Sequence, residues 1–138
     1  MSIHSKVVLL VDDSQTVRRM LEWTLKPAGF KTLHAIDGIH ALEILKVETV
    51  DLAIVDLNMP RMDGIELVRT VRRDEKLKKL PIILLTTESR DVDREMALEA
   101  GANLFMTKPS SPTQLRARAE EFLGVADPAK AGHRKVGL

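Results

Sequence analysis

The chain has 138 residues, a formal net charge of +1, 44% hydrophobic and 30% charged residues, and no cysteine. That length and composition fit one soluble globular domain, and the missing cysteine excludes disulfide scaffolds, thiolate metal sites and cysteine nucleophiles. Near-neutral charge leaves no basic footprint for nucleic acid, and no apolar run approaches the roughly 20 residues that span a bilayer.

Val7 to Val11 is an unbroken apolar run, the pattern of a strand buried on both faces. After Asp12-Asp13-Ser14 the period becomes helical, with Val17, Met20, Leu21 and Thr24 at i, i+3, i+4 and i+7, until Pro27 and Gly29 stop it. A weaker strand is predicted at Phe30–Ala35, and after Asp37-Gly38 a helix with Ala41, Leu42 and Leu45 on one side. Leu52 to Val55 is the third strand and ends in Asp56. The loop Leu57-Asn58-Met59-Pro60-Arg61-Met62 follows. Asp63 is then placed as an N-cap, with Glu66 three residues on. Ile65, Val68 and Val71 give that helix its buried side, and Lys76, Lys78 and Lys79 end it before Pro81. Ile82 to Leu85 is the fourth strand and ends in Thr86. Val92, Met96 and Ala100 mark a helix closed by Gly101, and Asn103–Met106 is the fifth strand, ending near Lys108-Pro109. Leu115, Ala119 and Phe122 line a last helix that stops at Gly124.

This alternation implies βαβ units, hence an α/β fold with a doubly wound five-stranded parallel sheet and helices on both faces. The domain is placed at residues 1–125. Residues 126–138, rich in Ala, Gly, Pro and Lys, are expected to be a flexible tail. The amino terminus has no signal-peptide pattern, so a cytoplasmic protein is expected. With only Trp23, Phe30, Phe105 and Phe122 as aromatic residues, a base-stacking platform is not expected.

The polar residues gather at strand ends: Asp12 and Asp13 after the first, Asp56 after the third, Thr86 after the fourth and Lys108 after the fifth. In a parallel sheet those ends lie along one edge, where ligands bind at the point of strand-order reversal. If the first and third strands are neighbours, Asp12, Asp13 and Asp56 converge. Two carboxylates ~4 Å apart repel by roughly 4 kcal/mol at an effective dielectric near 20. Such a cluster must hold a proton or bind a cation. Hard oxygen donors without His or Cys favour Mg²⁺, which keeps waters and accepts a phosphate oxygen, as in phosphoryl transfer. Asp56 is the natural nucleophile. Lys108 offers a point charge for a phosphoryl oxygen and Thr86 a hydroxyl. Asp37 and Asp63 read as caps, the lysines at 76, 78 and 79 as a solvated helix end, and Met59 and Met62 as loop packing. His4, His34, His40 and His133 share no ligand spacing.

Val11-Asp12-Asp13-Ser14, the run from Asp56 to Gly64, Thr86-Thr87-Glu88 and Lys108-Pro109 resemble the receiver domain of two-component response regulators, in particular the single-domain chemotaxis type. The similarity covers about residues 5–124. It implies the flavodoxin-like strand order 2-1-3-4-5 and assigns roles by position. Asp56 would be the phosphoacceptor. Asp13, Asp56 and the backbone carbonyl of Asn58 would contact Mg²⁺ directly, and Asp12 mainly through water. Thr86 and Lys108 would bind the phosphoryl group, Asn58 and Glu88 would tune its lifetime, and Lys108-Pro109 would be a cis peptide. Thr86 and Phe105 would form the switch, with Phe105 where the family often carries Tyr. Ser110-Ser111-Pro112 departs from the Phe that follows Lys-Pro in many relatives.

The function so implied is a stand-alone receiver in a phosphorelay. It would take a phosphoryl group from a phosphohistidine on a sensor histidine kinase or a phosphotransfer domain. It would then switch the face of the fourth helix, fifth strand and fifth helix (about 89–123) for a downstream protein target. It would act as a monomer, or as a dimer formed on phosphorylation, and assist its own phosphorylation and dephosphorylation without turning over an outside metabolite. The alternative is a Mg²⁺-dependent phosphohydrolase with an Asp nucleophile. Enzymes resembling haloacid dehalogenases carry a second Asp two residues after the nucleophile, where this chain has Asn58. A flavin-binding electron carrier would need a phosphate cradle where Asp12-Asp13 would repel one.

Overall fold

Strand and helix alternate along the chain because the apolar period alternates between unbroken runs and helical spacing. The computed structural model describes residues 6–87, 90–108 and 111–124. Its elements are β1 (Val7–Val11), α1 (Gln15–Leu25), β2 (Lys31–Ala35), α2 (Gly38–Val47), β3 (Leu52–Val55), α3 (Gly64–Arg73), β4 (Ile82–Thr86), α4 (Asp91–Ala100), β5 (Leu104–Thr107) and α5 (Pro112–Leu123). The sheet order is β2-β1-β3-β4-β5 and every pairing is parallel. Both the fold class and the strand order agree with the sequence expectation. The tail expected over 126–138, Glu88 and Pro109 lie outside the described residues.

Side chains alternate along each strand, so each strand feeds two cores. Leu9, Val11, Ala53, Val55, Ile82 and Leu84 pack toward α2, α3 and α4. Val8, Leu10, Leu52, Ile54, Ile83 and Leu85 pack with Leu21 and Leu25 of α1 and with Leu115, Ala119 and Leu123 of α5. Among the described residues no helix is long and apolar enough to cross a membrane.

The helices that follow β1, β2 and β3 each start at a side-chain cap. Ser14 accepts from Val17 N, Asp37 from His40 N, and Asp63 with Glu66 forms a reciprocal capping box. The expected caps at Asp37 and Asp63 are therefore present, and Met59 and Met62 pack against the core.

Helix faces and ends are where the sequence reading needs correction. Met20 is 63% exposed, because α1 buries Arg18, Leu21 and Leu25 instead. Val92 and Met96 lie outward on α4, whose buried positions are Asp93 and Ala97; Arg90 pairs with Asp93 at 2.9 Å and compensates that burial. On α5 Leu123 is buried and Phe122 only partly. Helix α3 ends at Arg73, short of the lysines, because Asp74 accepts hydrogen bonds from Lys76 N and Leu77 N and starts a turn. The fifth strand is shifted one residue, to Leu104–Thr107.

Candidate functional site

Strand order reverses between β1 and β3, and the acidic residues sit at that point. The ladder continues one residue past each strand: Asp12 N donates to Ala35 O at 3.1 Å, and Asp56 N to Val11 O at 2.8 Å. These bonds fix the backbones of both aspartates. Asp12, Asp13 and Asp56 each offer a carboxylate oxygen, and the three atoms lie within 4.8 Å of one another. Asp12 and Asp56 are buried while Asp13 is exposed, so the cluster opens to solvent on one side. Three hard oxygen donors, with no His or Cys among them, suit Mg²⁺.

Lys108 arrives from the end of β5. Its backbone N donates to Thr86 O at 2.7 Å, which ties the fifth strand end to the fourth. Its Nζ lies 2.8 Å from Asp12 Oδ2 and 3.3 Å from Asp56 Oδ1. Burial pulls the ammonium down, but the hydrogen bond to Asp12 and the charges of Asp56 and Asp12 outweigh it, and the net displacement is upward. The Asp56 carboxyl is also raised, first by burial; the Lys108 charge opposes this and the neighbouring Asp12 adds to it. Asp56 is thus a buried carboxylate beside two others, made tolerable by one ammonium.

Thr86 is fully buried at the end of β4. Asn58 is exposed in the loop between β3 and α3. Gly64 closes that loop, with its N donating to Leu57 O at 2.9 Å. A Cβ at Gly64 would stand 2.5 Å from the Asp56 carbonyl oxygen, so the site's backbone requires glycine there. Phe105 already points inward, at 3% exposure, with the Arg94 guanidinium 5.2 Å from its ring centroid. Of the expected site residues, the structure brings Asp12, Asp13, Asp56 and Lys108 into one cluster with Thr86 at its strand end, and leaves Phe105 on the core below α4. Glu88 is outside the described residues.

Arg18 escaped the sequence reading. It is buried, its guanidinium donates to the Asp12 carbonyl, and its Nε donates to His34 Nδ1 at 3.2 Å. A basic pair on an otherwise amphipathic helix reads as solvated. Only the approach of α1 to β1 and β2 shows that one of the two points inward.

The family profile of the response regulator receiver domain matches residues 8–120. A chemotaxis protein CheY homolog of Campylobacter jejuni is 42% identical over 119 residues, covering 85% of this chain and 92% of that protein. The chemotaxis protein CheY4 of Vibrio cholerae superposes with a TM-score of 0.81 at 36% identity, over 87% of this chain and all (100%) of that one. The receiver domain of the sensor histidine kinase PA1611 of Pseudomonas aeruginosa, solved with a magnesium ion coordinated in the active site cleft, gives a TM-score of 0.81 at 29% identity. It covers 88% of this chain and 99% of that domain.

Proposed function

This chain belongs to the response regulator receiver domain family, and from that premise we propose that it accepts a phosphoryl group on Asp56 and signals through a protein partner. The observation that carries this is the meeting of Asp12, Asp13 and Asp56 with Lys108 at the strand-order reversal. The donor is a phosphohistidine on a sensor histidine kinase or a phosphotransfer domain, and the setting is the cytoplasm. Asp12, Asp13 and Asp56, with the backbone carbonyl of Asn58, hold Mg²⁺. When bound, the ion supplies charge neutralisation for the transferring oxygens.

Asp56 is the nucleophile. Its carboxylate oxygen attacks phosphorus as the N–P bond of the donor breaks, and that electron pair returns to the imidazole nitrogen. Lys108 is held over the site by Asp12 before the reaction, so its charge is in place without reorganisation. The product adds about −1.5 to −2 charge at the sheet edge. Lys108 and the Thr86 hydroxyl bind its oxygens, while Asn58 and Glu88 govern how soon water removes it. The new contacts shift the population of states presented by α4, β5 and α5 to a downstream target, with Thr86 and Phe105 as the coupling residues. The chain is a self-timed switch and turns over no outside metabolite.

The test is incubation with Mg²⁺ and acetyl phosphate, followed by mass analysis. One added phosphoryl group, stable in acid and labile in base, is expected on the wild type and absent from Asp56→Asn. An adduct that survives Asp56→Asn, or no adduct at all, refutes the assignment. Steady release of phosphate from generic phosphate esters would favour the phosphohydrolase instead.

A further inference from the structure

Arg61 lies in the loop that carries Asn58, and it is the one non-glycine residue among those described with a left-handed backbone, at φ 67. A Cβ makes that conformation unfavourable. The loop keeps it nonetheless, and the side chain shows what holds it. Arg61 Nε lies 2.7 Å and Nη2 2.6 Å from the same Asp37 Oδ2. The Asp37 side chain is 3% exposed and that of Arg61 58%. The other Asp37 oxygen caps α2 through His40 N at 2.8 Å. The pair is therefore anchored at a capped helix start, and its exposed member is Arg61.

The next residue along makes a second contact between the same two loops. A Cβ at Gly38 would stand 2.7 Å from Met62 Cγ and 2.9 Å from the Met62 carbonyl oxygen, so residues 61–62 lie directly on 37–38. At the base of the loop, Gly64 N bonds Leu57 O at 2.9 Å, and nearer its tip Met62 N bonds Pro60 O at 2.7 Å. Asn58 sits between the closed base and the tethered tip. On the far side, Asp37 lies two residues after Ala35, whose carbonyl accepts from Asp12 N. The Arg61–Asp37 pair thus joins the loop after Asp56 to the segment that fixes Asp12.

From this geometry we infer that Arg61 is a positioning residue: its ion pair with Asp37 holds the loop so that Asn58 and Asp56 present their oxygens to Mg²⁺ together with Asp12 and Asp13. This rests on the proposed Mg²⁺ site. Residues that orient metal ligands typically change metal affinity by 10–100-fold when removed.

The experiment measures Mg²⁺ affinity of the full chain by calorimetry, with thermal melts alongside. Arg61→Gly keeps the left-handed backbone at no steric cost and deletes the ion pair. It is expected to weaken Mg²⁺ about tenfold while the melting temperature holds or rises. Asp37→Asn keeps the α2 cap and loses the charge, and is expected to weaken Mg²⁺ to a similar extent. The double variant is expected to be no worse than either single one, because both remove one interaction. Arg61→Lys is expected to recover part of the affinity. Wild-type affinity in Arg61→Gly, or additive losses in the double variant, would overturn the inference. A wild type that binds Mg²⁺ but takes no phosphoryl group refutes the proposed function and leaves this inference standing. A wild type that does not bind Mg²⁺ refutes both.

Discussion

Lys108→Met tests the electrostatics of the site most sharply, because it keeps an unbranched side chain one atom shorter and deletes its charge. Lys108 Nζ lies 2.8 Å from Asp12 and 3.3 Å from Asp56. At an effective dielectric near 20, Coulomb's law gives attractions of about 6 and about 5 kcal/mol. The carboxylate oxygens, within 4.8 Å of one another, repel by at least ~3.5 kcal/mol per pair on the same scale. Desolvation offsets much of the gross attraction, and Lys108 retains some contact with solvent, so a loss of about 2–4 kcal/mol is expected in Mg²⁺-free buffer at neutral pH. Removal of the ammonium also raises the Asp56 carboxyl further. Mg²⁺ affinity should move the other way, since the variant lacks the cation that competes for the same oxygens, and added Mg²⁺ should restore stability more than in the wild type. Transfer from acetyl phosphate should slow by roughly 10²-fold or more, as when one preorganised charge-stabilising group is removed. Thermal melts with and without Mg²⁺, Mg²⁺ calorimetry and the rate of adduct formation read these effects separately. Weaker Mg²⁺ binding in Lys108→Met, or unchanged stability without the ion, would refute the assignment of Lys108 as the cluster's resident counter-charge.

Asp56→Asn is expected to stabilise the Mg²⁺-free protein by about 1 kcal/mol, because it removes a charge that burial and Asp12 oppose. The wild type's folded Asp56 pKa lies above the ordinary 3.8. The stability its protonation contributes is therefore full below 3.8 and lost as pH rises through the raised value; urea titrations in which the wild type and Asp56→Asn show the same pH slope would contradict this. Gly64→Ala should cost about 1–3 kcal/mol in a melt, since its Cβ would stand 2.5 Å from Asp56 O and 2.9 Å from Leu84 Cδ2; an unchanged melting temperature would show that the loop yields freely. Phe105→Ala should cost roughly 3–5 kcal/mol and spare adduct formation on Asp56; equal loss of both would tie the ring to the chemistry and not to the output.

The strand–helix order was legible because it is written locally, and the acidic cluster because each of its segments directly follows such a strand. Unbroken apolar runs such as Val7 to Val11 have no helical face to offer, and a charged residue at the end of such a run lands on the sheet edge. What the sequence hid depends on contacts between distant segments. Arg18 is buried because the Asp12 carbonyl and His34 receive it, a property of how α1 lies on β1 and β2. Arg61 is an ordinary loop residue until Asp37, 24 positions earlier, is seen beside it. The end of α3 turned on the choice of Asp74 to bond to the following backbone, a local competition that helix periodicity does not register.

The rotation of α4 shows how one such hidden contact bears on signalling. Spacing alone makes Val92, Met96 and Ala100 one stripe, and a bias toward burying large apolar groups would turn that stripe inward. The structure buries Asp93 and Ala97 instead, and Val92, Met96 and Leu98 are left exposed. Two interactions stabilise that choice: the Arg90–Asp93 ion pair at 2.9 Å, and Arg94 over the Phe105 ring. The second links the outward residues of α4 to an aromatic ring of β5 whose neighbour two positions on, Thr107, pairs with Thr86. On the proposed reading, a change of a few kcal/mol at Thr86 need not travel through the core to reach the partner face. It meets β5 across one strand pairing and α4 across one cation–π contact. The Arg90–Asp93 pair is internal to the start of α4 and travels with it, so it fixes which side of the helix turns inward, while the Arg94–Phe105 contact is the one that ties the helix to β5.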